Sequence, residues 1–162
     1  MDIERWLALQ GDVSSDRARM LRRIHAEHGP LDPPDLSVAV DLERIRLITK
    51  AAEIVTADIL ATTGQPFALT VHHMDEGCIG LLHRGNSDHQ GFSIYGDDPQ
   101  ELLVAVADSA QDIVMHALWT CWPLCPEHDL GLHAELRDGP SWVCRSHDHV
   151  AAQIGGLAPL HK

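Results

Sequence analysis

Trp122-Pro123-Leu124-Cys125-Pro126-Glu127-His128 places a thiol and an imidazole three residues apart, and Cys144-Arg145-Ser146-His147-Asp148-His149 follows sixteen residues after His128. A tight turn lets the two side chains of a C-x2-H pair face one ion. Two such half-sites flanking a hairpin are how a small zinc ribbon acquires four ligands. Between them Leu132 to Leu136, Arg137-Asp138-Gly139-Pro140 and Ser141 to Cys144 read as strand, turn and strand. Residues 120–160 are therefore expected to form a zinc-ribbon-like β-hairpin module. Its ligands are Cys125, His128, Cys144 and one further histidine. Equal knuckle spacing favours His147, with His149 and His133 as alternatives; Cys121 is better placed to end the preceding helix. Mixed thiolate and imidazole donors suit Zn²⁺, whose charge two thiolates neutralise.

The segment leading into this module begins a helix with clear signals. Asp98 is a capping residue, Pro99 fits the first helical position and Glu101 completes a capping box. Leu103, Val106, Ala110, Ile113, Val114 and Ala117 give the helix a buried face, and it is expected to end near Trp119. Upstream lie three β-like runs: Phe67 to Val71 with alternating apolar residues, Cys78 to His83 after an Asp75-Glu76-Gly77 turn, and Phe92 to Tyr95 after a polar loop from Arg84 to Gln90. An antiparallel three-stranded meander with packed helices is the simplest assembly.

Further upstream, Val38, Leu42, Ile45, Ile48, Ala52, Val55 and Ile59 recur at helical spacing from Leu36 to about Ala61. The stripe reads as a core face, with a homodimer seam through residues 36–61 as the alternative. Two shorter helices are expected before it, Ile3 to Leu9 and a second running from Ser14-Ser15 to about His28. The proline-rich Gly29 to Asp35 stretch reads as a rigid connector. The expected class is α+β: N-terminal helices forming an appendage over residues 1–30, an α+β body over 36–119, and the C-terminal module.

The 162-residue chain is long enough for a real core, and its 44% hydrophobic content excludes a disordered polymer. Its formal charge of −12 is unevenly spread. Residues 1–50 hold 8 Lys+Arg and 9 Asp+Glu, while residues 51–162 hold 4 and 15. Nucleic acids are held by neutralising their phosphates, so the acidic region argues against them as partners and leaves a protein partner as the expectation. Met1-Asp2-Ile3-Glu4 lacks the basic start of a signal peptide, and no apolar run is long enough for a membrane span. A cytoplasmic protein is expected, in which clustered cysteines favour metal over disulfides.

The helix through Trp119, Trp122-Pro123, Cys125-Pro126-Glu127-His128, His133, Asp138-Gly139, Trp142-Val143-Cys144 and Ile154-Gly155-Gly156-Leu157 together resemble the C-terminal signature of a group of small uncharacterised actinobacterial proteins, W-P-x-C-P-x-H … H … D-G … W-x-C … I-G-x-L. The resemblance covers residues 98–157 and implies ligand roles for the two cysteines and the first histidine. It implies no established activity. His149, five residues before Ile154, resembles the histidine of one subgroup, whereas Arg145 stands where proline is common. The fourth ligand thus stays open.

Three functional readings compete. The first is a non-enzymatic interaction module folded by structural zinc. The second is a metal-dependent hydrolase with an open zinc, using Glu127 or the Asp108, Asp112 and His116 stripe as acid or base. The third is a DNA-binding regulator reading through Arg17, Arg19, Arg22 and Arg23 on the helix from Asp16 to His28. The sequence lacks H-E-x-x-H, a phosphate-cradling loop and a dinucleotide fingerprint, which favours the first.

Overall fold

A computed structural model describes residues 3–9, 11, 13–73, 79–83, 86–90 and 94–159. The fold is α+β, and the chain divides into two compact units, residues 1–47 and 48–162.

The N-terminal unit holds α1 (Ile3–Leu9), α2 (Ser15–His28) and the first half of α3 (Pro33–Thr63). Ser14 caps α2 by accepting from the Arg17 amide at 3.2 Å, and Gly29 closes it with its own amide on the His25 carbonyl. Leu7, Met20, Leu21, Ile24, Leu36 and Val40 form one buried cluster. The helix α3 begins at Pro33, three residues earlier than the apolar pattern suggested. Prolines 33 and 34 fall in the first helical turn, where a missing amide hydrogen leaves no bond unmade. The connector is correspondingly shorter. The apolar stripe of α3 also divides. Ile48, Ala52, Val55 and Ile59 are buried in the second unit, but Val38 and Leu42 are 58% and 62% exposed. In the first unit Leu36 and Val40 take the inward face instead.

The second unit contains two three-stranded antiparallel sheets. In the first, β2 (Ile79–His83) lies between β1 (Leu69–His73) and β3 (Asn86–Gln90), with Leu69 opposite His83 and Val71 opposite Leu81. All five residues of β2 are buried, as befits a central strand. The third strand differs from the sequence expectation: it is the polar run at 86–90 rather than Phe92 to Tyr95. An edge strand pairs through its backbone and needs no apolar alternation, which is why periodicity missed it. Of the expected segment, residues 92 and 93 lie outside the described residues, as do Cys78 and the 75–77 turn. Ile94 makes a single bridge to Ile79, its amide donating to the Ile79 carbonyl at 2.7 Å.

The helix α4 (Pro99–Leu118) packs against both sheets. Asp98 caps it by accepting from the amides of Gln100 and Glu101 at 2.9 and 3.1 Å. Leu102, Val106, Ala107, Ala110, Ile113 and Val114 form its buried face, and Trp119 ends it in a left-handed conformation. The second sheet runs β4 (His133–Leu136), β5 (Pro140–Cys144), β6 (His149–Gln153). The expected hairpin is thus a three-stranded meander. Its last strand, with two alanines among five residues, carries too weak an alternation to be read in advance.

This second sheet is fastened to α3 by a buried carboxylate. Asp58 accepts from Trp142 Nε1 and from the Gly155 amide, both at 2.7 Å, and from the Leu157 amide at 2.9 Å. One turn on, Thr62 Oγ1 accepts from Trp122 Nε1 at 2.8 Å, and the two indoles meet edge to face at 5.4 Å. Gly155 sits against α3 at φ +92°, where a Cβ would lie 2.5 Å from Ile54 Cγ2.

Candidate metal centre

Each half-site is built by a turn that the local sequence dictates. In the first, Leu124 bridges to Gly131, the Cys125 amide donates to the Leu130 carbonyl, and the Asp129 amide donates back to the Cys125 carbonyl. Asp129 takes a positive φ of 54°, a conformation that aspartate tolerates better than most residues. The turn carries His128 back over Cys125, and His128 Nδ1 lies 3.4 Å from Cys125 Sγ.

In the second, Cys144 closes β5, a 3-10 turn covers Arg145–His147, and Asp148 reverses the chain at φ 48° into β6. Cys144 is then the direct cross-strand partner of His149. Residues opposed in this way project to the same face. The pairing explains why His149, rather than the evenly spaced His147, joins the cysteines. His149 Nε2 lies 3.7 Å from Cys125 Sγ, and Cys144 Sγ lies 3.7 Å from His128 Nδ1.

The ligand atoms of Cys125, His128, Cys144 and His149 all lie within 4.8 Å of one another. The group is close enough to hold one metal ion. A tetrahedral ion with bonds of about 2.3 Å to sulfur and about 2.0 Å to nitrogen requires sulfur-to-nitrogen edges of roughly 3.5 Å. Three of the sulfur-to-nitrogen distances in the group, 3.4, 3.7 and 3.7 Å, fall close to that value. Both sulfurs are buried and both imidazoles half-buried, so the opening lies on the histidine side. Burial pushes the Cys144 thiol above its ordinary value, and the neighbouring Cys125 adds to the shift. An arriving cation must displace that proton.

His147 lies next to the group rather than in it. Its ring stacks parallel on His128 with centroids 3.5 Å apart, and its Nδ1 is 3.9 Å from Cys144 Sγ. Around it, Arg137 donates to Asp148 at 2.7 Å and Arg145 to Glu135 at 2.6 Å, holding the turn that carries both histidines. His133 pairs with Val143, and strand alternation sends that pair to the face opposite Cys144. Cys121 is exposed, and its sulfur packs on the backbone of Gly131, where a Cβ would lie only 2.9 Å away. Glu127 is exposed, with Oε1 4.0 Å from His149 Nε2. Asp108 and His116 lie exposed on α4 with Asp112 half-buried between them. Burial raises the Asp112 pKa and Asp108 raises it further, while His116 opposes them.

Sequence reasoning missed Asp58. Its only sequence mark is an acid within the apolar run Ala51 to Ala61, three residues after Val55 and one before Ile59. Compared with protein-family models, with curated proteins and with solved structures, the chain matches none.

Proposed function

We propose that this chain is a non-enzymatic protein-interaction module whose C-terminal sheet is folded around a structural zinc ion. The convergence of Cys125, His128, Cys144 and His149 on one point carries the reading. Two thiolates and two imidazoles at tetrahedral spacing match the donor chemistry of Zn²⁺, and four protein ligands leave no place for a reactive water. That argues against a hydrolase, in spite of the nearby Glu127. The regulator reading is weakened by the engagement of the basic cluster: Arg19 pairs with Asp16, Arg22 with Glu4, and Arg23 with Glu43. Among the described residues no helix is long and apolar enough to cross a membrane. That supports, alongside the reduced cysteines, a cytoplasmic setting in which the acidic surface meets a protein partner. The resemblance of residues 98–157 to the actinobacterial group fits the same picture.

Elemental analysis of untagged protein tests the proposal, with zinc expected at one per chain. Cys125→Ser, Cys144→Ser and His149→Ala should each abolish stoichiometric zinc. His147→Ala should stay within the roughly 10–100-fold loss of a residue that only supports a ligand. Chelation should expose residues 120–159 to protease, and unchanged resistance in metal-free protein would refute a structural role.

A further inference from the structure

Two donors stand outside the set of Cys125, His128, Cys144 and His149, and both approach its ligand atoms. His147 Nδ1 lies 3.9 Å from Cys144 Sγ, with its ring stacked on His128 at 3.5 Å between centroids. Glu127 Oε1 lies 4.0 Å from His149 Nε2, the same nitrogen that lies 3.7 Å from Cys125 Sγ. A residue that only orients a metal-binding imidazole takes the ring's other nitrogen. Glu127 stands instead beside the nitrogen that faces the sulfur. It is placed as a further donor to the ion, not as a support for the ring.

The six groups are also graded by depth and by chemistry. Both cysteines are buried, His128 and His149 are half-buried, and His147 and Glu127 are exposed. An ion coming from solvent thus meets a carboxylate and an outer imidazole first, two inner imidazoles next and the thiolates last. Hard oxygen donors suit an ion that still carries water, and soft thiolates hold one that has shed it. Zinc can expand from four ligands to five, so either outer group can join before an inner one lets go. We infer that Glu127 and His147 form an exchange port: they receive zinc at the mouth, pass it to the buried thiolates, and release it along the same path. Each ion admitted displaces the protons of the Cys125 and Cys144 thiols to water. The inference rests on the zinc reading proposed above and adds a regulation to it. With the C-terminal sheet folded around that ion, an exchangeable site ties the fold of the interaction module to the zinc around it.

Exchange of bound zinc for radiolabelled zinc in the full, zinc-loaded chain tests this, since the protein stays loaded throughout. A donor engaged only in transit speeds entry and exit by the same factor and leaves the affinity in place. His147→Ala should slow exchange about tenfold or more, with any loss of affinity smaller than that. Glu127→Gln should slow it severalfold. His133→Ala, on the opposite face of the sheet, should not alter it. A role confined to supporting His128 or His149 gives the opposite sign, because a poorly held ligand lets zinc leave faster. Faster or unchanged exchange in either port variant therefore overturns the inference and leaves stoichiometric zinc, and the structural reading, standing. Wild-type protein that carries zinc but takes up no label overturns it in the same way, as does an equal slowing in His133→Ala. A chain that carries no zinc refutes the earlier reading, and the port falls with it.

Discussion

Replacing Asp58 by alanine should loosen the C-terminal sheet more than any other single change on α3. The carboxylate accepts three hydrogen bonds, from Trp142 Nε1, the Gly155 amide and the Leu157 amide. These donors do not fare alike once it is gone. Trp142 is fully buried and its indole N–H has no route to water, so it bears the full desolvation penalty, about 1–3 kcal/mol. Gly155 is exposed and Leu157 half-buried, so their amides can turn to solvent and lose about 1 kcal/mol each. The sum is about 3–5 kcal/mol, comparable to the loss of one partner from a buried charged pair. Asp58→Asn should cost less, because one amide oxygen can still serve the two donors that share Oδ2. Urea unfolding of zinc-loaded protein, followed by the fluorescence of Trp122 and Trp142 in a Trp6→Phe, Trp119→Phe background, measures both. In Trp142→Phe the alanine change should cost about 1–3 kcal/mol less, since the stranded donor has been removed. A loss below about 0.5 kcal/mol for Asp58→Ala would place it among ordinary surface changes and refute the clamp.

Two further changes probe the same unit. Gly155→Ala forces a side chain to φ +92° and against Ile54 Cγ2, and should cost about 2–4 kcal/mol by the same urea assay. Ile54→Ala in the same chain should recover the clash but not the backbone strain, and an additive double variant would sink this account. Asp112 supplies a pH dependence. Its folded-state pKa is raised by burial and by Asp108, so the fold holds its proton more tightly than the unfolded chain does. Stability is full below the ordinary value of 3.8 and falls as pH rises through it towards the raised value. Asp112→Asn should therefore raise the urea midpoint at neutral pH and lose that advantage in strong acid; an equal gain at both would point to another cause.

What the sequence disclosed followed from local chemistry. The caps at Ser14 and Asp98 and the Cys125 knuckle are contained within a few residues, and all were legible. The polar edge strand at 86–90 was not, because its pairing depends on the backbone of β2 and not on its own side chains. The choice between His147 and His149 escaped for a related reason. Spacing alone makes the C-x2-H pair equal to the first knuckle, but the register of β5 against β6 sets Cys144 opposite His149. Register is a property of two strands, and β6, like the strand at 86–90, was not revealed by periodicity. Val38 and Leu42 fell in a helical stripe with Ile48 and Val55, yet one stripe on a 31-residue helix serves two units with different inward faces.

The metal group and the Asp58 clamp converge on one strand. β5 carries Trp142, which donates to Asp58, and two residues later Cys144, which faces His128 and His149. The sheet around them is small, and apart from Trp122 and Trp142 its interior is filled by side chains such as Leu132, Val143 and Ile154. The sheet is also covered by the apolar face of α4, which packs on β4 and β5. Polar fastenings at two points along β5 add to that burial: one at the metal group, one at a buried carboxylate with both oxygens engaged. The two should act together, since freeing Cys144 slackens the strand that delivers the Trp142 donor. Removal of a metal held by Cys125, His128, Cys144 and His149, combined with Asp58→Ala, should then cost less than the sum of the separate effects, because each begins to undo what the other holds. Strict additivity would mean that the clamp and the metal group stabilise independent parts of the unit.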